Sequence, residues 1–251
     1  MKQVYIGTSG WSYKSWQANF YPREIKVADH FRFYATQFPT VEINLTFYRL
    51  PTPRMVKGWR DMAPKGFIFA VKGSRFITHM KKLANLDGAV KKYFARLKTL
   101  QQKVGVVLWQ LPPFLKLDLP RLEAFLQRLP DSYEHAVEFR HPSWLQPQTF
   151  ELLHRHSIAH VSLSSQAMPM NLTVTSRLVY IRFHGLAGGA AHDYTRRELK
   201  PWADHIGAQA KARRKVFAYF NNDANERAPA NAKLLMSMVS EEAHEAFAAA
   251  A

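Results

Sequence analysis

The sequence predicts an α/β fold, a single (β/α)8 TIM-type barrel of parallel strands with outer helices, over residues 1–251. Three observations lead to this fold class. Short apolar runs alternate with segments whose apolar residues fall at helical spacing, and the alternation occurs eight times. Most of the apolar runs are continuous, as expected for parallel strands that are buried on both faces. A closed barrel of eight strand-and-helix units typically needs about 250 residues.

A chain of this length also fits two small domains or an open, doubly wound sheet. However, no glycine-rich dinucleotide fingerprint and no P-loop follows any of the predicted strands. The sequence contains neither an internal repeat nor a recognisable linker. These features favour one barrel domain over the two alternatives.

The first half of the chain supplies four of the predicted units. Phe31, Tyr34 and Phe38 recur at helical spacing, and Pro53 stands where proline favours the first turn of a helix. The most apolar strand is stopped by two prolines. In order, the predicted strands and helices are 4–7 and 29–38, 40–44 and 53–62, 67–72 and a basic helix ending near Gln101, and 104–111 and 120–129.

The second half supplies the other four strands. A proline-containing stretch after the sixth strand is predicted to be a loop. The predicted elements are 136–139 and 148–156, then 158–163, then 178–185 and a helix near 197–209, and finally 215–222 and 228–240.

The composition is strongly basic, with 35 Lys and Arg residues against 19 Asp and Glu residues and a formal net charge of +16. The positive charge concentrates in segments 81–98, 196–200 and 211–215. Such segments are usually the solvated outer faces of helices, and this interpretation is favoured here. A nucleic-acid-binding patch is the alternative, because a basic surface attracts polyanions.

Other features of the composition restrict the class of protein. The chain has no cysteine, which excludes a disulfide scaffold, a thiolate nucleophile and a cysteine metal site. No export signal precedes the first strand, and the apolar runs are far shorter than the roughly 20 residues that cross a bilayer. We therefore expect a cytoplasmic protein with no membrane partner, and a monomer is favoured.

Polar residues stand at the carboxyl ends of all eight predicted strands, where a barrel of this kind builds its active site. We expect these side chains to converge at one end of the barrel. They are Thr8, Ser9 and Trp11, then Glu42 and Asn44, Lys72, Arg75 and His79, Gln110, Glu138, Arg140 and His141, Ser162 and Ser164, Arg182 and His184, and Asn221 and Asn222.

Glu42, Glu138 and His184 are the candidate catalytic residues. Two carboxylates in unlike surroundings can hold unlike pKa values and act as an acid and a base. An ion network in which Arg140 or Arg182 neutralises each carboxylate explains the same residues equally well.

The remaining polar residues predict a site for an anion. Lys72, Arg140 and Arg182 are cations, and Gln110, Asn221 and Asn222 are neutral donors, which together suit a phosphate or carboxylate group. Trp11, Asn44 and His79 complete the predicted substrate-binding set. The glycine-rich loop 185–194 after the seventh strand is either a lid or a surface loop.

Metal binding is weakly indicated. His79, His141 and His184 could bind a divalent ion together with Glu42 and Glu138, but their spacing forms no local metal motif. We therefore expect no cofactor and assign no metal ligand, with a divalent metal kept as an alternative.

Seven stretches, "GTSGWSYKSW", "VEINLTFYRLP", "FITH", "QLPP", "VEFRHPSW", "YIRFHG" and "YFNND", occur in this order along nearly the whole chain. The series resembles the successive motifs of the DUF72 family, also called YecE-like. The resemblance implies a TIM-type barrel and implies no particular activity. The shared positions are Gly7, Gly10, Trp11, Glu42, Asn44, Phe47, Tyr48, His79, Gln110, Glu138, Arg140, His184, Gly185 and Asn221.

The sequence departs from the pattern of that family at two places. Leu45 stands where a small residue is usual, and the sixth strand ends in Ser162 and Ser164 where an acidic residue is frequent. Any role of that acid in relatives is therefore in doubt for this chain.

Two classes of function follow from the residues. The first is an enzyme, a hydrolase, lyase or isomerase, that acts on a small phosphorylated or carboxylated substrate by glutamate acid–base chemistry. The second is a nucleic-acid-binding or endonuclease-like barrel that holds phosphates on its basic surface.

Overall fold

The computed structural model describes residues 3–86 and 88–248, and it confirms the predicted barrel. Eight parallel strands lie in the order β1-β8-β7-β6-β5-β4-β3-β2, so neighbours along the chain are neighbours in the sheet. The strands are β1 (Val4–Thr8), β2 (Thr40–Ile43), β3 (Ile68–Lys72), β4 (Val104–Gln110), β5 (His135–Glu138), β6 (Ala159–Ser165), β7 (Leu178–Gly185) and β8 (Lys215–Phe220).

The barrel is nearly closed between β1 and β2. The link there is a bridge between Ser9 and Glu42, in which the backbone N–H of Gly10 donates to the carbonyl oxygen of Glu42 at 2.9 Å. A Cβ atom on Gly7 would lie 2.4 Å from the carbonyl oxygen of Thr40. Glycine at this position therefore allows the first and second strands to approach each other.

Helices surround the strands, and several begin at side-chain caps. Thr52 accepts from the N–H of Met55, Asp118 accepts from the N–H of Arg121, and Thr195 forms a capping box with Glu198. The helices are α1 (His30–Gln37), α2 (Leu45–Tyr48), α3 (Pro53–Met62), α4 (Ala89–Leu97), α5 (Leu119–Leu126), α6 (Pro147–Arg155), α7 (Arg196–Lys211) and α8 (Arg227–Ala248).

The third unit differs from its prediction. The basic segment 81–98 is not a single helix, since Lys82, Leu83 and Asn85 have positive φ angles that an α-helix excludes. A π-helical turn, Phe76–Met80, comes before this irregular stretch, and a 3-10 segment, Lys98–Lys103, follows α4. The short helix α2 between the second strand and α3 was not predicted.

Side chains of the strands alternate between two apolar layers. On β7, Val179, Ile181 and Phe183 belong to the layer between barrel and helices, whereas Tyr180 belongs to the second layer. The second layer lies inside the barrel, because the Tyr180 hydroxyl reaches Glu42 on β2, a strand that is not a neighbour of β7. This inner layer consists of Ala70, Val106, Leu108, Ala136, Ala159, Val161, Leu163, Met168, Leu178, Tyr180, Phe217 and Tyr219.

None of the helices in the described ranges is long and apolar enough to cross a bilayer.

Candidate functional site

A buried guanidinium joins the two predicted catalytic carboxylates at the carboxyl end of the barrel. Arg182, 1% exposed, donates from Nη1 to Oε2 of Glu138 at 2.6 Å and from Nη2 to Oε1 of Glu42 at 2.7 Å. Both glutamates are fully buried. The interior of the barrel therefore ends in a layer of paired charges above its apolar layer.

The carboxylate of Glu42 accepts hydrogen bonds from three side chains. Ser9 donates to Oε1 alongside Arg182, and the hydroxyl of Tyr180 donates to Oε2 at 2.6 Å. Asn44 supports this arrangement by donating from Nδ2 to the Ser9 oxygen at 2.7 Å, and Arg182 Nη2 lies 3.3 Å from the same oxygen. Burial alone would raise the pKa of Glu42, but Arg182, Lys72 and the hydroxyl donors outweigh it, so the pKa lies below its usual value.

Glu138 lies in a second group of contacts with Arg140, Arg182 and His184. Arg140 donates from Nε to Oε1 of Glu138, and its Nη2 lies 2.9 Å from Nε2 of His184. Burial again opposes ionisation, but Arg140 and Arg182 hold the pKa of Glu138 well below its usual value. Both carboxylates are therefore ionised at pH 7.

His184 is a neutral acceptor in this network. Burial, and then the charge of Arg182, lower its pKa to about 4. Because Nε2 faces two guanidinium groups, the ring proton lies on Nδ1, which is 3.1 Å from the side-chain amide of Asn221. The amide oxygen of Asn221 can accept that proton once the amide is oriented accordingly.

These contacts favour the ion-network interpretation of Glu42 and Glu138 over acid–base catalysis. An acid–base pair needs two different pKa values, and here both values are lowered by the same guanidinium. The oxygens of both carboxylates are occupied by donors. In this arrangement neither carboxylate has a proton to give or a free oxygen with which to take one.

A cavity of about 440 Å³ opens at the same end of the barrel. Lys72 is 9% exposed, and its Nζ lies 4.3 Å from the centre of the Phe47 ring. No carboxylate of the described residues lies within salt-bridge distance of Lys72 or Arg75. The residues lining the cavity are Phe47, Tyr48, Lys72, Arg75, His79, Met80 and Gln110.

Two of the side chains that line this cavity, Lys72 and His79, have shifted pKa values. Burial, and then the charge of Arg182, lower the pKa of Lys72 to about 8. Burial, and then the charges of Lys72 and Arg75, lower the pKa of His79, whose Nδ1 lies 2.8 Å from the Thr78 hydroxyl. The lowered pKa gives Lys72 a larger neutral fraction at pH 7 than an ordinary lysine has, and it favours the neutral form of His79.

The structure brings together most of the predicted site residues in two adjacent groups. Lys72, His79 and Gln110 line the cavity. The buried charge network contains Glu42, Asn44, Glu138, Arg140, Arg182, His184 and Asn221.

Two predicted binding residues lie outside both groups. Asn222 donates to the carbonyl oxygen of His192 at 2.8 Å and to Asn231 of α8 at 2.7 Å, so it faces the helices. Adjacent strand residues point to opposite faces, so Asn221 faces the interior, and the position of Asn222 does not support its predicted role in binding substrate. The ring of Trp11 packs edge-on against Phe31 at 5.2 Å and does not line the cavity.

Three other strand-end residues also point elsewhere. Ser162 and Ser164 flank Leu163, which faces the interior, and Ser164 contacts the Tyr194 hydroxyl at 2.8 Å. His141 accepts from the N–H of Ser143 and caps a short 3-10 turn. Among the described residues, no group of three or more His, Asp or Glu side chains has the geometry of a metal site.

The glycine-rich loop after β7 is tied to the body of the protein. The Tyr194 hydroxyl accepts from the N–H of Gly185 at 3.0 Å, and Asn231 contacts both Asp193 and Tyr194. The loop contributes no residue to the lining of the cavity. These contacts support a fixed surface loop more than a lid.

Sequence reasoning missed Tyr180 and Asp223. Tyr180 shares a strand face with Arg182 and His184 at a spacing of two residues, and this alternation was the available signal. Asp223 accepts from Nε1 of Trp16 at 2.6 Å, and burial raises its pKa to about 6. Only the tertiary contact with Trp16 reveals that aspartate as a distinctive group.

Comparisons with known proteins agree with the fold. The curated protein YecE of Escherichia coli K12 is 32% identical over 170 residues, which is 65% of this chain and 60% of the length of YecE. YunF of Bacillus subtilis is 25% identical over 270 residues, covering 94% of each chain. The match to YecE therefore spans less than two thirds of that relative.

Solved structures show the same architecture. A DUF72 family protein from Thermotoga maritima superimposes with a TM-score of 0.86 at 28% identity, covering 95% of this chain and 99% of that chain. A DUF72 family protein from Enterococcus faecalis has a TM-score of 0.80 at 19% identity, covering 94% and 95%, and shows likeness of fold alone. The sequence profile described as "Protein of unknown function DUF72" matches residues 5–251, so this chain belongs to the DUF72 family.

Proposed function

We propose that this protein is an enzyme that binds a small phosphorylated or carboxylated substrate in the cavity at the carboxyl end of its barrel. The observation that carries the proposal is the cavity itself, where Lys72 and Arg75 present positive charge with no carboxylate in salt-bridge distance among the described residues. Gln110 adds a neutral donor or acceptor to the same lining. A buried ammonium without a counter-ion favours an anionic ligand.

In this enzyme Glu42 and Glu138 do not exchange protons with the substrate. Glu42 and Glu138 hold Arg140 and Arg182 in place beneath the cavity. Lys72 and His79 line the cavity and have pKa values shifted towards or below neutrality, so they are the groups suited to exchange protons with a substrate. The reaction classes that fit are hydrolase, lyase and isomerase.

Thermal unfolding with inorganic phosphate and sugar phosphates tests the anion site. A ligand that binds only the folded state at a hundred times its Kd should raise the Tm by roughly 5–10 °C. Lys72→Met should abolish this rise because it removes the charge, whereas Lys72→Arg should retain it. Lys57→Met, at an exposed lysine of α3, is the matched control and should respond like wild type.

Two results would count against the anion site. One is the absence of any stabilisation by phosphate, sugar phosphates or carboxylates in wild type. The other is stabilisation of the same size in wild type and Lys72→Met, because the anion would then be bound elsewhere on the basic surface.

A nucleic-acid-binding barrel is the second candidate, favoured by exposed apolar side chains beside lysines. Tyr48 and Met80 line the cavity and are 67% and 62% exposed. Lys81 lies 5.7 Å from the centre of the Phe76 ring, and Lys82 lies 5.2 Å from that of Phe114. Exposed rings with adjacent cations are typical of surfaces that stack bases and hold phosphates.

A salt titration distinguishes the second candidate from the first. If it is right, single-stranded oligonucleotides should bind with an affinity that falls steeply with salt, and Phe114→Ala should weaken the binding. Equal oligonucleotide affinity in wild type and Phe114→Ala would mean that the exposed rings take no part.

A further inference from the structure

Lys72 has an unusual position for a lysine. It follows Ala70 on the interior face of β3, so its chain rises from the apolar inner layer into the cavity. Its ammonium group lies 4.3 Å from the centre of the Phe47 ring and has no ion pair among the described residues. A lysine that belonged only to the charge network would contact one of the two glutamates.

Burial, and then the surrounding charges, explain why this amine loses its proton readily. Arg182 on β7 and Arg140 after β5 act against the ammonium form, and Glu42 on β2 and Glu138 on β5 favour it. Those glutamates are already paired with the two arginines, and Arg75 and His79 share the cavity with Lys72. Burial is the largest cause, and the resulting pKa of about 8 leaves roughly a tenth of the amine neutral at pH 7.

We infer that the Lys72 amine is a nucleophile that forms an imine with a substrate carrying both a carbonyl group and a phosphate or carboxylate. Desolvation and neighbouring cations are the two conditions that activate a lysine for this chemistry. The inference rests on the anion site proposed above and adds a ketone or aldehyde to the substrate class.

The step needs no co-reactant. The lone pair of Nζ adds to the carbonyl carbon, the C=O double bond opens, and one proton passes from nitrogen to that oxygen. The hydroxyl group of this carbinolamine then leaves and takes up the second proton of the nitrogen, which gives one water and a C=N bond. His79 lines the same cavity, so its ring can carry the proton from the nitrogen to the oxygen.

An imine at Lys72 would make a particular class of reaction accessible. Once protonated, the C=N nitrogen withdraws electrons from the bonds next to the former carbonyl carbon. Cleavage or formation of a C–C bond, loss of water and proton shifts can all proceed through that state. This narrows the proposed enzyme to a lyase or an isomerase and sets aside hydrolysis.

Reductive trapping tests the inference directly. Whole protein is mixed with pyruvate or dihydroxyacetone phosphate and sodium borohydride, and intact mass and peptide mapping locate the adduct. Wild type should gain one reduced adduct on the peptide that contains Lys72, and Lys72→Arg should gain none. Lys57→Arg replaces an exposed lysine of α3 and should be labelled like wild type.

Two further readouts separate site-directed chemistry from reaction at the surface. Inorganic phosphate should slow the labelling, because it competes for the same cavity. The labelling rate should rise with pH through about 8, as the neutral amine becomes the main form.

The outcomes distinguish this inference from the proposed function. If phosphate stabilises wild type and neither carbonyl probe labels Lys72, the imine is wrong and the anion site stands. If labels spread over many lysines and are equal in Lys72→Arg, the imine is also wrong. If wild type shows neither stabilisation nor labelling, both proposals fail. Peptide mapping of wild type decides the matter even if a Lys72 variant does not fold.

Discussion

Arg182 determines the charge state of the barrel mouth. It is fully buried and contacts one oxygen of Glu42 and one oxygen of Glu138. Burying three charged groups is costly, and the cost is offset only while each carboxylate keeps its guanidinium partner. A lysine could not replace it, because a single ammonium group lacks the planar pair of donors that reaches both carboxylates.

Removing Arg182 should therefore destabilise the protein strongly. Arg182→Leu leaves buried carboxylates with fewer partners, and we expect the free energy of unfolding in urea to fall by about 3–5 kcal/mol. Adding Glu42→Gln and Glu138→Gln should recover part of this loss, because the unpaired charges are then gone. Arg155→Leu, which removes an exposed contact with Glu123, is the control and should cost about 1 kcal/mol or less.

A different result for Arg182 would contradict the account. If Arg182→Leu unfolds at the same urea concentration as wild type, the two carboxylates are stabilised by other groups. Arg182 would then not be the residue on which the ionised state of Glu42 and Glu138 depends.

At the scale of elements, the alternation of strand residues decides which side chains reach the site. A strand residue two positions after a member of the inner layer points to the same side, the interior of the barrel. Four site residues stand at such positions: Lys72, Gln110, Glu138 and Arg182. Asn222 and Ser164 have the opposite parity and contact Asn231 and Tyr194 near the helices. A position at a strand end is therefore not sufficient for a role at the mouth.

The end of β7 depends on a glycine, and its replacement gives a test at this scale. Gly185 has φ +86°, and a Cβ atom there would lie 1.7 Å from the carbonyl oxygen of Gly189. Gly66→Ala is the matched control, since Gly66 has φ +83° with open space around it. At both positions the positive φ angle should cost an alanine about 1–2 kcal/mol of stability. Gly185→Ala adds a clash between its Cβ atom and the backbone of Gly189.

We expect Gly185→Ala to lower the free energy of unfolding by clearly more than Gly66→Ala does, as measured in urea. Equal losses in the two variants would mean that the loop after β7 moves aside without cost. In that case the contacts of Tyr194 and Asn231 do not hold the loop in place.

At the scale of the whole molecule, a basic barrel encloses histidines that stay neutral. His135, His160 and His184 have pKa values lowered to about 4, with burial as the largest cause in each case. Neither ring nitrogen of His160 has a hydrogen-bond partner among the described residues, and its ring lies 5.0 Å from Phe150. At a pH between about 4 and 6.5 these histidines therefore bind fewer protons in the folded protein than in the unfolded chain.

Stability should fall as the pH drops from about 6.5 through about 4. In that window the unfolded histidines bind more protons than the folded ones, so the free energy of unfolding rises with pH. Asp223 opposes the trend, because its raised pKa makes the folded state bind more protons between about 4 and about 6. Three histidines act in one direction and one carboxyl group in the other, so the free energy of unfolding should still rise with pH.

Urea unfolding at several pH values checks this linkage. His160→Phe should flatten the pH dependence of the free energy of unfolding. It removes one group that binds a proton only in the unfolded chain, and it keeps the aromatic packing. Phe150→Leu, which alters the packing against the same ring without removing a titratable group, is the control and should retain the wild-type slope. A slope for His160→Phe that matches wild type would show that this ring binds its proton in the folded state.

Local patterns in the sequence were enough to predict the eight strands, the barrel and the end at which polar groups gather. Apolar runs such as 104–111 and the helical spacing of Phe31, Tyr34 and Phe38 are visible within a few residues. The irregular stretch around Lys82 and Leu83 was missed, because its positive φ angles have no signal in composition. The alternation of side chains along β8 would have predicted that Asn222 faces the helices, because Phe217 and Tyr219 face the interior.

The chemistry of the site could not be predicted in this way, because it depends on contacts between residues far apart in the chain. Arg182 is 140 residues from Glu42 and 44 from Glu138, and the closed barrel brings all three together. The same closure buries Lys72 near two guanidinium groups, and no carboxylate of the described residues lies within salt-bridge distance of it. Residue types were therefore readable from the sequence, whereas ionisation was decided by the tertiary structure, since burial and neighbouring charge exist only in the folded barrel.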